Sequence, residues 1–276
     1  GIVNTSRSWT IMVKDFIDNT HAKTLLSADE LQAVKKELVH RHIAWLTALR
    51  YQMRGDKPWE THLKKDKQNA AFRENHYLVF EDRIPIREAI KSYISEEEFE
   101  EIFSKGNKPS QLLGIQSKRL KELMNKGFIE DFRHMEMMNI LVEFYTLQGK
   151  SERIKNFPYP RQYASLGLYL TRVFAILIPF GLIPEFAEIG ETMVGDFYLV
   201  GKYFIWIAIP FCAVVSWAFH TMERLARTGE NPFEGGPNDV PISTISRGIE
   251  IDLRQMLDEN PDEIPCQFPE EKNVQM

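Results

Sequence analysis

The sequence predicts an all-α membrane protein, a transmembrane helical hairpin with a large cytosolic helical domain. Three observations predict it. Two apolar stretches, 163–189 and 197–219, lie near the middle of the chain. Glu185, Glu188, Glu191 and Asp196 gather around the join between them, with no basic residue, while Arg153, Lys155, Arg161, Arg224 and Arg227 crowd the outer flanks. An excess of Lys and Arg near span ends marks the cytosolic side, so both outer ends are expected there. Third, the remaining chain carries amphipathic helical periodicity and no useful run of strand alternation.

The opening residues, 1–18, place Trp9, Val13, Phe16 and Ile17 at helical spacing. No capping residue precedes them, as if the helix continued from something longer. Ser27 and Glu30 form a capping box for a long helix with Leu31, Val34, Leu38, Leu46, Leu49 and Met53 on its apolar face, closed by Gly55. The 56–80 region is polar and expected as loop. Ser95 and Glu98 open another helix that runs to Gly106. Pro109 opens the next, through Leu112, Ile115, Leu120 and Leu123 to Gly127. A fourth runs from Phe128 to about Leu147, with Phe132, Leu141, Phe144 and Tyr145 expected to pack.

A bilayer core takes about 20 predominantly apolar residues in helical form. Residues 203–219 hold no charge, and 197–200 extend that stretch past Gly201 and Lys202. The first stretch has a shorter uncharged core, 173–184, preceded by Arg172, which must face protein, water or the interface. Pro179, Pro184 and Pro210 each remove a backbone donor and kink a helix, which membrane helices tolerate when neighbours satisfy the freed carbonyl. The competing reading is a buried hairpin in a soluble helical core, which rarely runs so long without polar punctuation.

Beyond the hairpin, 229–241 is turn-rich. Ile242, Ile245, Ile249 and Leu253 then mark a short amphipathic helix. Pro261, Pro265 and Pro269 among acidic neighbours make 258–276 extended or disordered on its own, or a strap that orders against a neighbouring subunit. The expected organisation is 1–152 cytosolic helical domain, 153–162 junction segment, 163–228 hairpin, 229–257 turn and amphipathic helix, and 258–276 tail.

With 276 residues and a net charge of −5, the chain has room for one large or two ordinary domains and no global attraction to nucleic acid. Its mean hydropathy of −0.31 is that of a soluble protein, because the apolar residues are concentrated in one quarter of the chain. The two cysteines, Cys212 in a span and Cys266 in the tail, are poor disulfide partners.

Candidate chemistry is sparse. Asp131 and His134, three apart among Glu130, Glu136 and Glu143, could face one way as carboxylate-bridged metal bundles require. A second such pair is lacking, since His40 and His42 fall on different faces, so a solvated, salt-bridged helix surface is the simpler reading. No phosphate-binding loop, nucleophile elbow or zinc spacing occurs. The run Glu96, Glu97, Glu98, Glu100 and Glu101 reads as a solvated face. Lys64, Lys65 and Lys67 lack interleaved aromatics for nucleic acid. No catalytic residue, metal or cofactor is expected. The segment Arg-Ile-Lys-Asn-Phe-Pro-Tyr-Pro at 153–160 reads as irregular backbone at the foot of a span, tolerated where it lines a cavity or pore, or as a rigid entry turn.

That segment, together with Glu-Asn-Pro-Phe at 230–233, the run 237–250, the stretch 131–137 and the opening 3–9, resembles the bacterial branch of the bestrophin family, over nearly the whole chain. The resemblance implies an ion channel, a pentamer around a central pore, passing monovalent ions such as chloride or, in a bacterial member, cations. Its partners would be its own copies, the lipid bilayer and the permeating ions, in a bacterial inner membrane with most of the chain cytosolic. It maps the cytosolic aperture to Tyr159, flanked by Pro158 and Pro160, and gives Arg153, Asn156, Asn231, Pro232 and Phe233 to the structural motifs beside the pore. A tyrosine ring there departs from the aliphatic ring common in the family. The family's first two membrane helices, with the apolar neck, would lie before Gly1. The dense acidic run by which animal members bind calcium is reduced to Glu234 and Asp239, so no calcium clasp is expected. Two other classes remain beside the channel: a membrane-anchored metal-carboxylate protein using Asp131 and His134, and a non-conducting membrane scaffold.

Overall fold

In a computed structural model of the chain, residues 1–57, 71, 79–157, 161–228, 231–236 and 239–270 are described. The described residues are helical with no strand, and divide into two units. One comprises Gly1–Asn156 and Phe233–Met276, the other Phe157–Pro232.

In the first unit α1 (Ile2–Phe16) buries Trp9, Val13 and the following Ile17 completely. Helix α2 (Ala28–Arg54) begins at the expected capping box: Glu30 N–H donates to Ser27 Oγ at 3.2 Å, and Ser27 N–H donates to Glu30 Oε2 at 2.8 Å. From Leu38 to Arg54 its residues are buried on almost every side, because α1 and the helices Lys108–Lys126, Asp131–Asn156 and Ile242–Met256 all pack on it. Three short helices follow, α3 (Phe80–Arg83), α4 (Ile86–Ile90) and α5 (Glu96–Phe103). Helix α6 (Lys108–Lys126) is capped by Asn107, whose Oδ1 accepts from Ser110 N–H at 3.1 Å. It ends at Gly127, whose φ of 83° is left-handed. A side chain there would also run into the His21 carbonyl, so glycine is required twice over.

Helix α7 spans Asp131–Asn156 and corrects three expectations. It starts after Phe128 and Ile129, which are buried in the preceding turn. It continues through Arg153, Lys155 and Asn156, which were expected to be irregular, because no proline interrupts the backbone before residue 158. Of its four candidate packing residues Leu141 and Phe144 are buried, but Phe132 is 81% exposed and Tyr145 42%. The latter two sit off the face that Met137, Leu141, Phe144 and Gln148 turn inward, and apolarity alone does not reveal which face that is.

The core centres on an aromatic cluster in which α1, α2 and α7 meet. Phe144 lies 4.4 Å from His42, 5.0 Å from Trp45 and 6.3 Å from Trp9, centroid to centroid. Among the described residues the His42 ring has a single polar contact, Nε2 to Ser6 Oγ at 2.9 Å. Burial without a counter-charge drives its pKa down from 6.5 to about 3.

The last helix of this unit, α11 (Ile242–Met256), buries Ile249 and Leu253 while leaving Ile245 exposed. The following segment, over 258–270, finds partners within its own chain. Glu259 bonds His40 at 2.7 Å and Arg254 at 2.9 Å, and Phe268 stacks on Phe80 with centroids 3.8 Å apart. Arg247 caps the same ring at 4.5 Å. An aromatic and a carboxylate thus tie a proline-rich chain to its own α2, α3 and α11, contacts invisible in its composition.

The second unit is the hairpin. Its helices are α8 (Arg161–Met193), α9 (Tyr198–Tyr203) and α10 (Ala208–Thr228), with a 3₁₀ turn at Phe204–Ile207 before α10. Two stretches, Ser165–Met193 and Tyr198–Ala226, are each 29 residues long and apolar enough to cross a membrane. At 1.5 Å per residue each reaches about 44 Å, more than a hydrocarbon core needs. The second is interrupted by that 3₁₀ turn. Pro210 has no N–H for the Trp206 carbonyl and crowds it, and the chain tightens to 3₁₀ geometry over that turn. The arms close at two glycines. A Cβ on Gly190 would meet the Gly201 carbonyl oxygen at 2.7 Å, and one on Gly201 the Gly190 oxygen at 2.6 Å. Small residues of this kind let membrane helices approach backbone to backbone. Phe174 and Phe219 then pack edge to face at 4.7 Å lower in the hairpin.

The buried imidazole generates a pH prediction. Between pH 6.5 and about 3 the unfolded chain binds a proton at His42 that the folded chain refuses, so its contribution to stability is complete above 6.5 and declines on acidification. Thermal unfolding of His42→Phe in detergent should lose less on acidification over that window than the wild type; an unchanged slope would remove His42 from the account.

Candidate functional site

A cluster of buried charges lies where α2, α3 and the turn leading into α11 converge. Arg50 and Arg54 stand one helical turn apart on α2 and face the same way. Glu81 on α3 sits between them, its side chain 2% exposed, 2.8 Å from Arg50 Nε and 3.5 Å from Arg54 Nε. Ser243 Oγ approaches both Glu81 oxygens, at 2.8 and 2.9 Å. A charge so removed from water persists only when paired and hydrogen-bonded, and here Glu81 has two guanidinium groups as counter-charges and the Ser243 hydroxyl as a donor.

Arg54 continues the network into the turn. Its Nη1 donates to the Phe233 carbonyl at 3.1 Å and stands 3.4 Å from Asp239 Oδ2. Asp239 in turn accepts backbone N–H groups from Phe233 at 3.0 Å, Gly235 at 2.9 Å and Val240 at 2.7 Å. Phe233 is held at a φ of 65°, where an L side chain is uncommon, and Gly235 at 83°. The strained turn is thus clasped by one carboxylate from inside the loop and one guanidinium from α2. Asp239 was legible in the sequence only as a leftover carboxylate. Arg50, Arg54, Glu81 and Ser243 were missed, and the one available signal was two arginines four residues apart on an otherwise apolar helix face.

The sequence-predicted site residues fare unevenly. Arg153 and Asn156 are exposed on the last turn of α7. Asn231 is 7% exposed, and Pro232 and Phe233 are half-buried. Tyr159, Pro158 and Pro160 lie outside the described residues, as does most of the polar 56–80 region. Asp131 is exposed, and His134 is half-buried on the same helix. Among the described residues no group of three or more His, Cys, Asp or Glu side chains gathers to hold a metal. Of the acidic run, Glu98 turns inward to Arg41 at 2.5 Å, while Glu96 and Glu100 pair with Arg87 outside.

Residues 2–255 match the family described as Bacterial/Fungal Bestrophin protein. The chain belongs to the bestrophin family. Among relatives, the voltage-dependent anion channel-forming protein YneE of Salmonella typhi is 26% identical over 195 residues, 70% of this chain and 57% of that protein. YneE of Escherichia coli K12 is 25% identical over 193 residues, with the same coverage. The bestrophin chain therefore spans just over half the length of these relatives. Among solved structures, a bacterial bestrophin homologue from Klebsiella pneumoniae superposes with a TM-score of 0.65 at 18% identity, covering 94% of this chain and 76% of that one. That likeness establishes the all-helical fold, and among the described residues two stretches are long and apolar enough to cross a membrane. The relatives are named as channels and not as enzymes.

Removing the shared carboxylate would take a counter-charge from both the buried Arg50 and the buried Arg54. Glu81→Ala should therefore cost about 3–5 kcal/mol, read as a lowered midpoint of unfolding in detergent. Arg50→Met combined with Glu81→Met should recover part of that loss, and equal destabilisation of both variants would contradict the pairing.

Proposed function

We propose that the full-length protein is a bestrophin-type channel that passes small monovalent ions passively down their gradients. The observation that carries this reading is the family match across 254 of the 276 residues, 2–255, combined with two apolar spans joined by an acidic loop. The relatives' names favour anions as the permeating species, chloride being the simplest. Subunits assemble as a homopentamer about a central pore. The bulk of the chain, with the basic feet Arg153, Lys155, Arg161, Arg224 and Arg227, sits on the cytosolic side of a bacterial inner membrane.

In this reading no residue performs chemistry. Rate and selectivity come from the radius and field of rings of side chains around the axis. Tyr159, between Pro158 and Pro160, supplies the cytosolic ring, and Arg153 and Asn156 precede it at the end of α7. The turn clasped by Asp239 and Arg54 fixes the chain as it leaves the second span, with Asn231, Pro232 and Phe233 at the exit. An arginine side chain is always charged, so this clasp stays closed without a metal ion.

The test is ion flux through the full-length protein in liposomes, under separate chloride and sodium gradients. Flux that follows the chloride gradient is the expected result. Flux that follows only sodium would reverse the selectivity, and none from an inserted oligomer would leave a non-conducting scaffold. Tyr159→Ala should change conductance or selectivity, and an unaltered current would remove it from the aperture.

A further inference from the structure

A second charged feature of the helical unit is not used by the clasp. Between α2, α5 and α6 lies an open cleft of about 450 Å³, within the size range of small-molecule sites. Its floor is a rigid ion-pair lattice. Arg41, 3% exposed, donates to Gln116 at 3.0 Å, Glu37 at 2.8 Å and Glu98 at 2.5 Å. Arg119 bridges Glu37 at 2.9 Å and Glu122 at 3.2 Å. Burial pushes the Glu37 carboxyl up, but the hydrogen bonds from both arginines outweigh it and hold it below its ordinary range. These side chains are therefore fixed and charged before any ligand arrives.

The rim is less committed. On α5 the Glu101 carboxylate pairs with Lys105 at 2.9 Å through one oxygen only. Across the cleft on α6, Lys118 forms no hydrogen bond or ion pair among the described residues, although its charge acts on Glu101. Between them Gly114 opens the wall, since a side chain there would touch nothing within 4 Å. The cleft thus offers acceptors on one wall, a free ammonium on the other, and a recess between.

We propose that this cleft binds a small zwitterion of the amino-acid class, its carboxylate on Lys118 and its ammonium on Glu101 and Glu98. The lining contains four carboxylates and four cations, so a simple anion or a simple cation would meet as much repulsion as attraction. A molecule with both charges meets complementary groups at each end and desolvates neither alone. Arg41 links the cleft to α2, the helix whose far end holds the clasped turn.

Titration of β-alanine, L-serine and L-lysine into the purified full chain by calorimetry tests this, with acetate and methylammonium as single-charge controls. Saturable binding of at least one amino acid with Kd below about 1 mM, and of neither control, is expected. Lys118→Ala, an exposed substitution that leaves the floor intact, should weaken that binding at least tenfold while the unfolding midpoint stays unchanged. Acetate binding as tightly as the amino acids would overturn the zwitterion assignment. No saturable heat from any amino acid, or full affinity in Lys118→Ala, would overturn the site.

Discussion

The helical unit is organised by the charges that α2 carries into its own interior. Arg41, Arg50 and Arg54 are 3, 8 and 4% exposed. An arginine cannot shed its proton to escape burial, so the elements beside each of these three have to bring it an acceptor. Arg41 and Arg50 are nine residues apart, about two and a half helical turns, and so point in opposite directions. One side collects Glu98 from α5 and Gln116 from α6, and the other collects Glu81 from α3 and the turn before α11. The same helix thus fixes the relative placement of segments almost 200 residues apart in sequence, as the separation of Arg54 from Asp239 illustrates.

Hydrophobic burial supplies the driving force around this scaffold, and the ion pairs choose among arrangements. Trp9, Trp45 and Phe144 would cluster in many packings of three helices. The need to satisfy Glu81, Ser243 and Asp239 at once admits few. Buried ion pairs of this kind contribute little net stability against an apolar replacement, and their attested benefit is register. In this chain that register sets the strained Phe233 and the short loop to Val240, which immediately follow the membrane hairpin in sequence.

How far the sequence could be read depended on the range of the interactions. Local signals were legible. Ser27 with Glu30, Asn107 and Gly127 act through backbone groups within a few residues, and the two spans declare themselves by length and composition. Phe132 and Tyr145 misled because an amphipathic helix shows its period without naming the face its neighbours occupy. Phe268 was hidden because its partners, Phe80 and Arg247, become neighbours only after folding. The arginine clasp was equally hidden, since nothing in a run of helix-forming residues says that an arginine points inward. The Asp131–His134 pair shows why spacing alone is weak evidence, since it fits a metal chemistry for which no further ligand is gathered among the described residues.

Family membership places this organisation in a membrane, and the central claim is that the full-length assembly is a passive pore. Recording from planar bilayers containing the full-length protein tests that claim most directly. The account predicts discrete unitary current steps whose reversal potential follows the imposed salt gradient, as open diffusion through side-chain rings requires. A correctly inserted oligomer that gives no unitary currents, or only a slow saturable flux without steps, would contradict it.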